Sequence, residues 1–358
     1  MSIFSKFKRH STAGESTEVD IFNKETEGLS QGQIVRRRFL RHRGAIISLV
    51  VLSSILLFVF SALDFKLGPL KYRGWWKYGY TEQPNLRTEG CPQFLSGCPT
   101  LSINPFSKSF GLGDHPFGQD DIGRDYFALV MRGAQRSILV MFIIGLVGGF
   151  IGTIIGAISG FYRGRVDAVL MRFTDFIITI PSLIIGSVIG FHFGNLGATF
   201  LALYLGLFAW TGLSRLVRGE FLSLREREFV DAARVAGASD RRIIFKHILP
   251  NAVGVIIVSV TLIMSGAILL ETGLSYLGFG VVSPDVSLGL LISQYQDSFT
   301  TRPWLFWYPG IFIIVIALCV NFIGDGLRDA FDPRQRRRIS RKERAQARQV
   351  SRAEKSAN

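Results

Sequence analysis

The residues that most often carry chemistry are scattered along this sequence and form no catalytic constellation. Its five histidines and three cysteines include no H-E-x-x-H, no nucleophile elbow and no Cys-x-x-Cys pair. His115 with Asp120 and Asp121 comes nearest to a metal cluster, but an aspartate just before an apolar run is more typical of a helix cap. We therefore predict no catalytic residue and no metal in this chain.

Two other features could suggest chemistry. Glu271 lies near the end of an apolar run, and an acid at membrane depth is a candidate functional group because its burial is costly. Its place near the outer interface leaves a hydrated or helix-capping role equally open. The phosphate-loop pattern G-x-x-x-x-G-K-[ST] is absent from the sequence, so the chain is not expected to hydrolyse ATP itself.

The elements that position these residues are membrane spans. The 358 residues are 48% hydrophobic with a mean hydropathy of +0.31, and apolar runs near the roughly 20 residues needed to cross a bilayer recur along the chain. We predict an all-α integral membrane protein with about six transmembrane helices, at 44–63, 137–160, 176–193, 196–214, 252–271 and 307–324. The first run begins too far from the start for a cleavable signal peptide.

Charge predicts the orientation. The formal net charge of +14 lies entirely in segments 1–43, 161–175, 215–250 and 325–358, which the positive-inside rule assigns to the cytoplasm together with both termini. Basic clusters beside span ends serve orientation and anionic lipid, so a nucleic-acid partner is not expected. The predicted organisation is a basic cytoplasmic segment 1–43, a first transmembrane helix 44–63, an extracytoplasmic segment 64–136, a core of five helices 137–327 and a basic tail 328–358.

Local patterns predict how the spans pack. The second span carries a ladder of small residues at intervals of four, which lets another helix approach closely: Gly148, Gly152, Gly156 and Gly160. Pro181 is expected to kink the third span. An amphipathic run at 126–131 is expected to lie in the interface before the second span. Cys91 and Cys98 lie in the extracytoplasmic segment, where a disulfide and two free thiols are equally open alternatives.

Between the fourth and fifth spans, residues 223–251 are charged and helix-forming. Ser223 and Glu226 match a capping box, Gly237 suits a helix end, and Ser239 could cap a second helix that runs to Pro250. One face of the first helix is apolar and mostly small: Phe229, Ala232, Ala233 and Ala236. We predict a rigid two-helix hairpin shaped to enter a groove on another protein.

These residues resemble a known family. Ala232-Ala233, Gly237 and Leu249-Pro250 are similar to the EAA loop of ABC importer permeases, with Asp231 where that motif usually has Glu and His247 where Ile is common. Residues 115–125, 271–280 and 324–333 resemble the C-type permease subunit of oligopeptide and dipeptide importers. The resemblance covers roughly residues 34–334.

The resemblance implies the fold of a type I ABC importer transmembrane domain in the bacterial cytoplasmic membrane. The implied partners are a B-type permease, one or two cytoplasmic ATPase subunits that hold ATP and Mg, an extracytoplasmic peptide-binding protein and the lipid bilayer. It assigns ATPase coupling to a set of hairpin residues: Glu228, Phe229, Asp231, Ala232, Ala233, Arg234, Gly237, Leu249 and Pro250.

Other functions stay open at this stage. A permease of the same family could carry nickel or another small solute, an ion-coupled secondary transporter would work without an ATPase, and a scaffold or sensor would move no solute. A secondary transporter normally places charges near mid-membrane, and the predicted spans carry few. No residue in the sequence is identified as a substrate ligand.

Overall fold

The computed structural model describes residues 31–67, 70–87, 91, 96–101 and 113–331. The basic tail from 332 onward and residues 1–30 of the predicted N-terminal segment lie outside the described residues. The helices are α1 (Gln31–Phe39), α2 (Arg43–Ala62), α3 (Tyr126–Tyr162), α4 (Gly164–Ile178), α5 (Ser182–Phe193), α6 (Ala198–Gly206), α7 (Thr211–Arg225), α8 (Glu228–Val235), α9 (Leu249–Tyr276), α10 (Leu288–Tyr295) and α11 (Trp304–Phe331).

Short segments complete the described chain. A helical turn, Asp240–Arg242, and a π-helical segment, Ile243–Ile248, run directly into α9. Two strands, β1 (Phe65–Leu67) and β2 (Leu70–Tyr72), form an antiparallel hairpin in which Phe65 pairs with Tyr72. The all-α prediction is therefore correct for the long apolar helices, and within the described residues it misses this small hairpin after α2.

Five helical segments are long and apolar enough to cross a membrane, and a sixth is counted if α4 and α5 form one bent span. The five are Arg43–Ala62, Tyr126–Tyr162, Ala198–Arg225, Asp240–Tyr276 and Trp304–Phe331. The axes of α4 and α5 differ by 74°, and Pro181 stands at the N-cap of α5. The predicted kink is thus a full break. These observations confirm a helical protein with about six spans.

Several helix ends differ from the predicted span ends. Tyr126 to Met131 are buried and form the first turns of α3, so the run expected in the interface leads into the second span as one continuous helix. The predicted inner loop 161–175 is mostly helix α4, and α7 continues past the predicted span end at 214 to Arg225. Helix α7 continues because the apolar side of its polar stretch still packs on its neighbours, whereas α4 is joined to α7 mainly by ion pairs.

The described chain divides into two units. The larger unit, Phe39–Arg328, contains α2 to α10 and nearly all of α11. The described part of the smaller unit consists of residues 31–38 and 329–331.

Helix α3 is the centre of the larger unit. Its glycine ladder lies against α7: a Cβ built on Gly152 would stand 2.8 Å from the Trp210 carbonyl oxygen, and one on Gly156 would stand 2.5 Å from that of Ser214. Gly149 faces Val260 of α9 instead. Gly145, on the same side of α3 as Gly149, faces Met264 of α9, so these glycines and the ladder allow α9 and α7 to pack closely against α3, as expected for small-residue packing in membranes.

The described residues between α2 and α3 belong to the predicted extracytoplasmic segment 64–136, called the outer segment below, and are built around one aspartate. Asp125 is fully buried and caps α3, accepting a hydrogen bond from the Ala128 amide at 2.9 Å. The same carboxylate contacts Trp76 Nε1 at 2.7 Å and His115 Nδ1 at 2.8 Å. A disulfide joins Cys91 to Cys98, whose Cα atoms lie 5.7 Å apart.

The three side chains considered as a metal cluster have separate partners. His115 pairs with the helix-capping Asp125, Asp120 pairs with Arg124, and Asp121 pairs with Arg302. Their positions serve to join the outer segment to the helices.

Candidate functional site

The hairpin begins as a direct continuation of a membrane helix. Helix α7 runs through Ser223 to Arg225, and α8 starts at Glu228 after an Arg227 N-cap whose side chain makes no capping bond. The predicted Ser223–Glu226 capping box is therefore wrong. Phe221 is fully buried and Leu224 packs on the same cluster, so the apolar stripe of α7 extends the helix past Ser223.

The turn after α8 agrees with the sequence. Gly237 has a φ of +76°, the left-handed conformation that favours glycine. The Gly237 amide donates to the Arg234 carbonyl at 2.9 Å, and the Ala238 amide donates to the Ala233 carbonyl at 3.0 Å. This bonding pattern is a Schellman motif, which fixes the direction of the chain leaving α8.

Helix α8 has two apolar faces, one buried and one exposed, and the sequence prediction assigned residues from both to a single docking face. Val230 is fully buried and Ala233 is 9% exposed, because both pack inward on Val217, Phe221 and Ile243. Ala233 is thus wrongly placed on the predicted docking face. Its role is to let α8 approach the hairpin's own core.

The outward face of α8 is apolar and is not covered by any residue that the structure describes. It consists of exposed residues at spacings of three and four: Phe229, Ala232, Val235 and Ala236. Val235 is 90% exposed. Sequence reasoning missed Val235, although its position three residues after Ala232 places it on the same side of a helix.

Charged residues surround this outward face. Glu228 and Asp231 lie in the first turn of α8 and Arg234 in its last, an arrangement that complements the helix dipole. Arg234 Nη1 lies 3.2 Å from Asp231 Oδ1. Beside the hairpin, Glu226 pairs with Arg163 at 2.6 Å, which ties the hairpin to the loop between α3 and α4.

The second arm of the hairpin does not end at Pro250. Leu249 and Pro250 lie at the start of α9, and the helix from Asp240 continues unbroken to Tyr276. The Leu249 amide bonds to the Ile244 carbonyl, and Asn251 Nδ2 donates to the His247 carbonyl at 2.6 Å. A wider π turn just before Pro250 accommodates a ring that would otherwise clash with the preceding turn.

A second polar site lies within the spans, around Glu271. This carboxyl is fully buried in α9, so the predicted hydrated role is wrong. Ser137 Oγ donates to one carboxyl oxygen at 3.0 Å, and Ser275 Oγ donates to the other at 2.7 Å.

The serines connect Glu271 to the start of α10. Ser137 Oγ accepts from the Leu288 amide at 3.2 Å. Ser287 Oγ accepts from the Leu290 amide at 3.1 Å and lies 3.2 Å from Ser275 Oγ. Ser137 and Ser287 each accept a hydrogen bond from a backbone amide at the start of α10. Their hydroxyls are in turn hydrogen-bonded to the Glu271 carboxyl, directly or through Ser275, so Glu271 is linked indirectly to amides of α10 that have no partner within the helix.

The two sites differ in what they can do. The Glu271 network has all its hydroxyls satisfied and holds α10 in place, whereas the outward face of α8 is uncovered in the described part of the chain. Among the residues that the structure describes, no group of three His, Cys, Asp or Glu side chains could hold a metal ion. The arrangement fits docking and movement.

Comparison with known proteins finds family matches over two parts of the chain. Residues 152–337 match the family described as binding-protein-dependent transport system inner membrane component. Residues 30–83 match the N-terminal TM domain of oligopeptide transport permease C.

Similar full-length proteins exist in several bacteria. The oligopeptide transport system permease protein OppC of Mycobacterium tuberculosis is 39% identical over 312 residues, covering 87% of this chain and 97% of that protein. OppC of Haemophilus influenzae is 38% identical over 317 residues, covering 87% and 91%. A chain of the inward-facing MetNI methionine ABC transporter aligns with a TM-score of 0.48 and 19% identity, covering 57% of this chain and 96% of that one.

Proposed function

Because this chain belongs to the family of binding-protein-dependent transport system inner membrane components, we propose that it forms one transmembrane half of an ATP-driven oligopeptide importer. The observation that carries the proposal is the hairpin. Its outward face exposes Phe229 and Val235 between charged residues, while its inner face and both of its arms are fixed to the spans.

The proposed assembly contains a B-type permease as the other half of the path, one or two cytoplasmic ATPase subunits that hold ATP and Mg, and an extracytoplasmic peptide-binding protein. The names of the similar permeases support an oligopeptide as the solute. The chain lies in the bacterial cytoplasmic membrane, with the hairpin and both termini on the cytoplasmic side. No nucleic acid takes part.

In the proposed mechanism the hairpin transmits force. The ATPase subunits close together when ATP binds, and the resulting displacement reaches α8. Helix α7 leads into α8, and the helix Asp240–Tyr276 leads out of it, so both membrane helices receive that displacement directly. The Schellman turn at Gly237 and the buried Val230 keep the hairpin from absorbing the displacement internally. The path then opens alternately to the two sides.

The docking face is tested by adding a charge to it. We expect Val235→Asp to lower ATPase co-purification and peptide uptake at least about tenfold, because a contact worth more than about 1.4 kcal/mol would be lost. Uptake is measured in proteoliposomes containing the whole transporter and a labelled oligopeptide. Ser223→Asp, which adds the same charge to an exposed position of α7, is the matched control and should retain activity. Equal activity of both variants would contradict docking through this face.

The reaction class and the solute are tested separately. Omitting the ATPase subunits should abolish uptake, whereas an ion-coupled transporter would continue to work under a proton or sodium gradient. Competition with unlabelled nickel should not reduce peptide uptake. Nickel accumulation without peptide uptake would assign the chain to a different solute.

A further inference from the structure

Helix α4 is held to the rest of the chain in an unusual way. Of its 15 residues, only Thr174 and Ile177 are buried. Many of its apolar side chains are exposed, and the most exposed are Val166, Val169, Phe173 and Phe176. Apolar packing therefore contributes little to fixing α4 against its own subunit.

Two ion pairs join α4 to α7. Arg218 binds Asp167 through two parallel bonds, from Nε to Oδ1 and from Nη2 to Oδ2, each 2.6 Å long. Ser159 of α3 also donates to Asp167 Oδ1, at 2.5 Å. Arg215 Nη2 lies 2.5 Å from Asp175 Oδ1. Paired guanidinium and carboxylate planes give a directional contact, which a single ammonium group could not give.

The two ion pairs, called the inner rung (Asp167–Arg218) and the outer rung (Asp175–Arg215), differ in exposure. The Asp167 side chain is 17% exposed and that of Arg218 is 34% exposed, whereas both side chains of the second rung are close to half exposed. A ring contact adds to the rungs, because Phe173 stacks on Trp210 with 6.1 Å between centroids. The inner rung is thus the better shielded attachment of α4 to α7.

The position of α7 determines which parts of the chain these ion pairs connect. Its C-terminal end leads into the hairpin, and Arg225 binds the Phe161 carbonyl of α3 next to the hairpin. Helix α4 leads in the other direction, to the 74° break at Pro181 and on to α5. The ion pairs therefore connect the element that is proposed to receive force with the sharply broken helix pair α4 and α5.

We propose that Asp167–Arg218, reinforced by Asp175–Arg215, are positioning pairs that make α4 and the Pro181 break follow α7 when the hairpin moves. This inference rests on the proposed function, since it assumes that the hairpin receives force from an ATPase. Breaking the inner rung releases α4 from α7 while the docking face of α8 stays intact. The transporter then moves fewer peptide molecules for each ATP that it hydrolyses.

The test compares single charge reversals with a charge swap in the whole transporter. We expect Arg218→Glu and Asp167→Arg each to lower the peptide taken up per ATP hydrolysed by about tenfold, the loss of roughly 1.4 kcal/mol of coupling. Combining Asp167→Arg with Arg218→Glu restores the pair in reverse and should recover most of that ratio. Arg218→Lys, which keeps the charge but loses the parallel bonds, should give an intermediate ratio.

Two measurements keep the test decisive. ATPase co-purification should stay unchanged in all these variants, in contrast to Val235→Asp, so a failure of docking is distinguished from a failure of transmission. Asp175→Asn changes only the outer, half-exposed rung, so it tests the same idea if the inner-rung variants do not fold, and it should lower the ratio by a smaller factor. An unchanged ratio in the folded single variants, or a swap no better than they are, would overturn the proposal.

Discussion

Asp120 and Asp121 are neighbours in the sequence but have opposite environments. Asp120 is fully buried and accepts bonds from Arg124 Nε at 2.6 Å, the Arg124 amide at 2.7 Å and Tyr295 Oη at 3.1 Å. Burial raises the pKa of the Tyr295 phenol, and the nearby Asp120 carboxylate raises it further, so the phenol stays protonated and donates. Asp121 is mostly exposed and contacts Arg302.

We expect these two acids to differ in their effect on stability. Asp120→Ala leaves a partly buried guanidinium without its carboxylate and should reduce the free energy of unfolding by about 3–5 kcal/mol. Asp121→Ala removes an exposed ion pair worth no more than about 1 kcal/mol. The thermal midpoints of the detergent-purified variants, followed by tryptophan fluorescence, give the comparison. Equal midpoints would show that the buried network does not hold α10 to the outer segment.

Glu271 should also stabilise the protein strongly. Glu271→Ala leaves the Ser137 and Ser275 hydroxyls without an acceptor, at about 1–3 kcal/mol for each unsatisfied group. Glu271→Gln keeps the volume and one carbonyl acceptor, so its loss should be smaller. Hydrogen exchange at the Leu288 and Leu290 amides is the second measurement, since both depend on the network. Unchanged hydrogen exchange at these two amides in Glu271→Ala would contradict the link between Glu271 and the start of α10.

At the scale of the element, the glycines of α3 set how closely two helices approach. A Cβ on Gly156 would meet both the Ser214 carbonyl and the Val217 side chain, whereas a Cβ on Gly219 of α7 would meet no atom within 4 Å. The same substitution therefore has opposite expected consequences at the two positions.

We expect Gly156→Ala to destabilise the protein by about 1–3 kcal/mol, because the helices must separate to admit the methyl group. Gly219→Ala should be neutral or stabilising by up to about 1 kcal/mol through helix propensity. Both variants are compared by thermal midpoint in one detergent. A smaller loss for Gly156→Ala than for Gly219→Ala would contradict close packing of α3 on α7.

The hairpin shows which element features the sequence could predict. The turn at Gly237 was predictable because a left-handed residue at a helix end is a local property. The predicted capping box at Ser223 is wrong because Phe221 packs on residues distant in the sequence and so continues the helix. Local hydrogen bonding at Ser223 could not compete with that packing. The predicted helix end at Pro250 is wrong because a π turn, which has no clear sequence signal, accommodates the proline in a helix that continues.

At the scale of the whole molecule, the sequence predicted the helical fold and the approximate number of spans, since long apolar runs are unmistakable. It could not predict the outer segment. That segment is built by contacts between residues far apart in the chain, such as Trp76 with Asp125 and Asp121 with Arg302. Glu271 was misjudged for the same reason, because its serine partners on α3 and the α10 loop are distant in sequence.

At the scale of the whole molecule, charge predicts the orientation in the membrane, and this prediction can be tested directly. Ser239 lies in the hairpin and Thr81 lies in the outer segment, and both are exposed. We expect Thr81→Cys to react with a membrane-impermeant maleimide in right-side-out vesicles, and Ser239→Cys to react only in inside-out vesicles, because the basic segments stay in the cytoplasm. The unmodified chain is the control, since Cys91 and Cys98 are bonded and Cys319 is buried. Labelling with the opposite sidedness would place the hairpin outside, where no cytoplasmic ATPase could reach it.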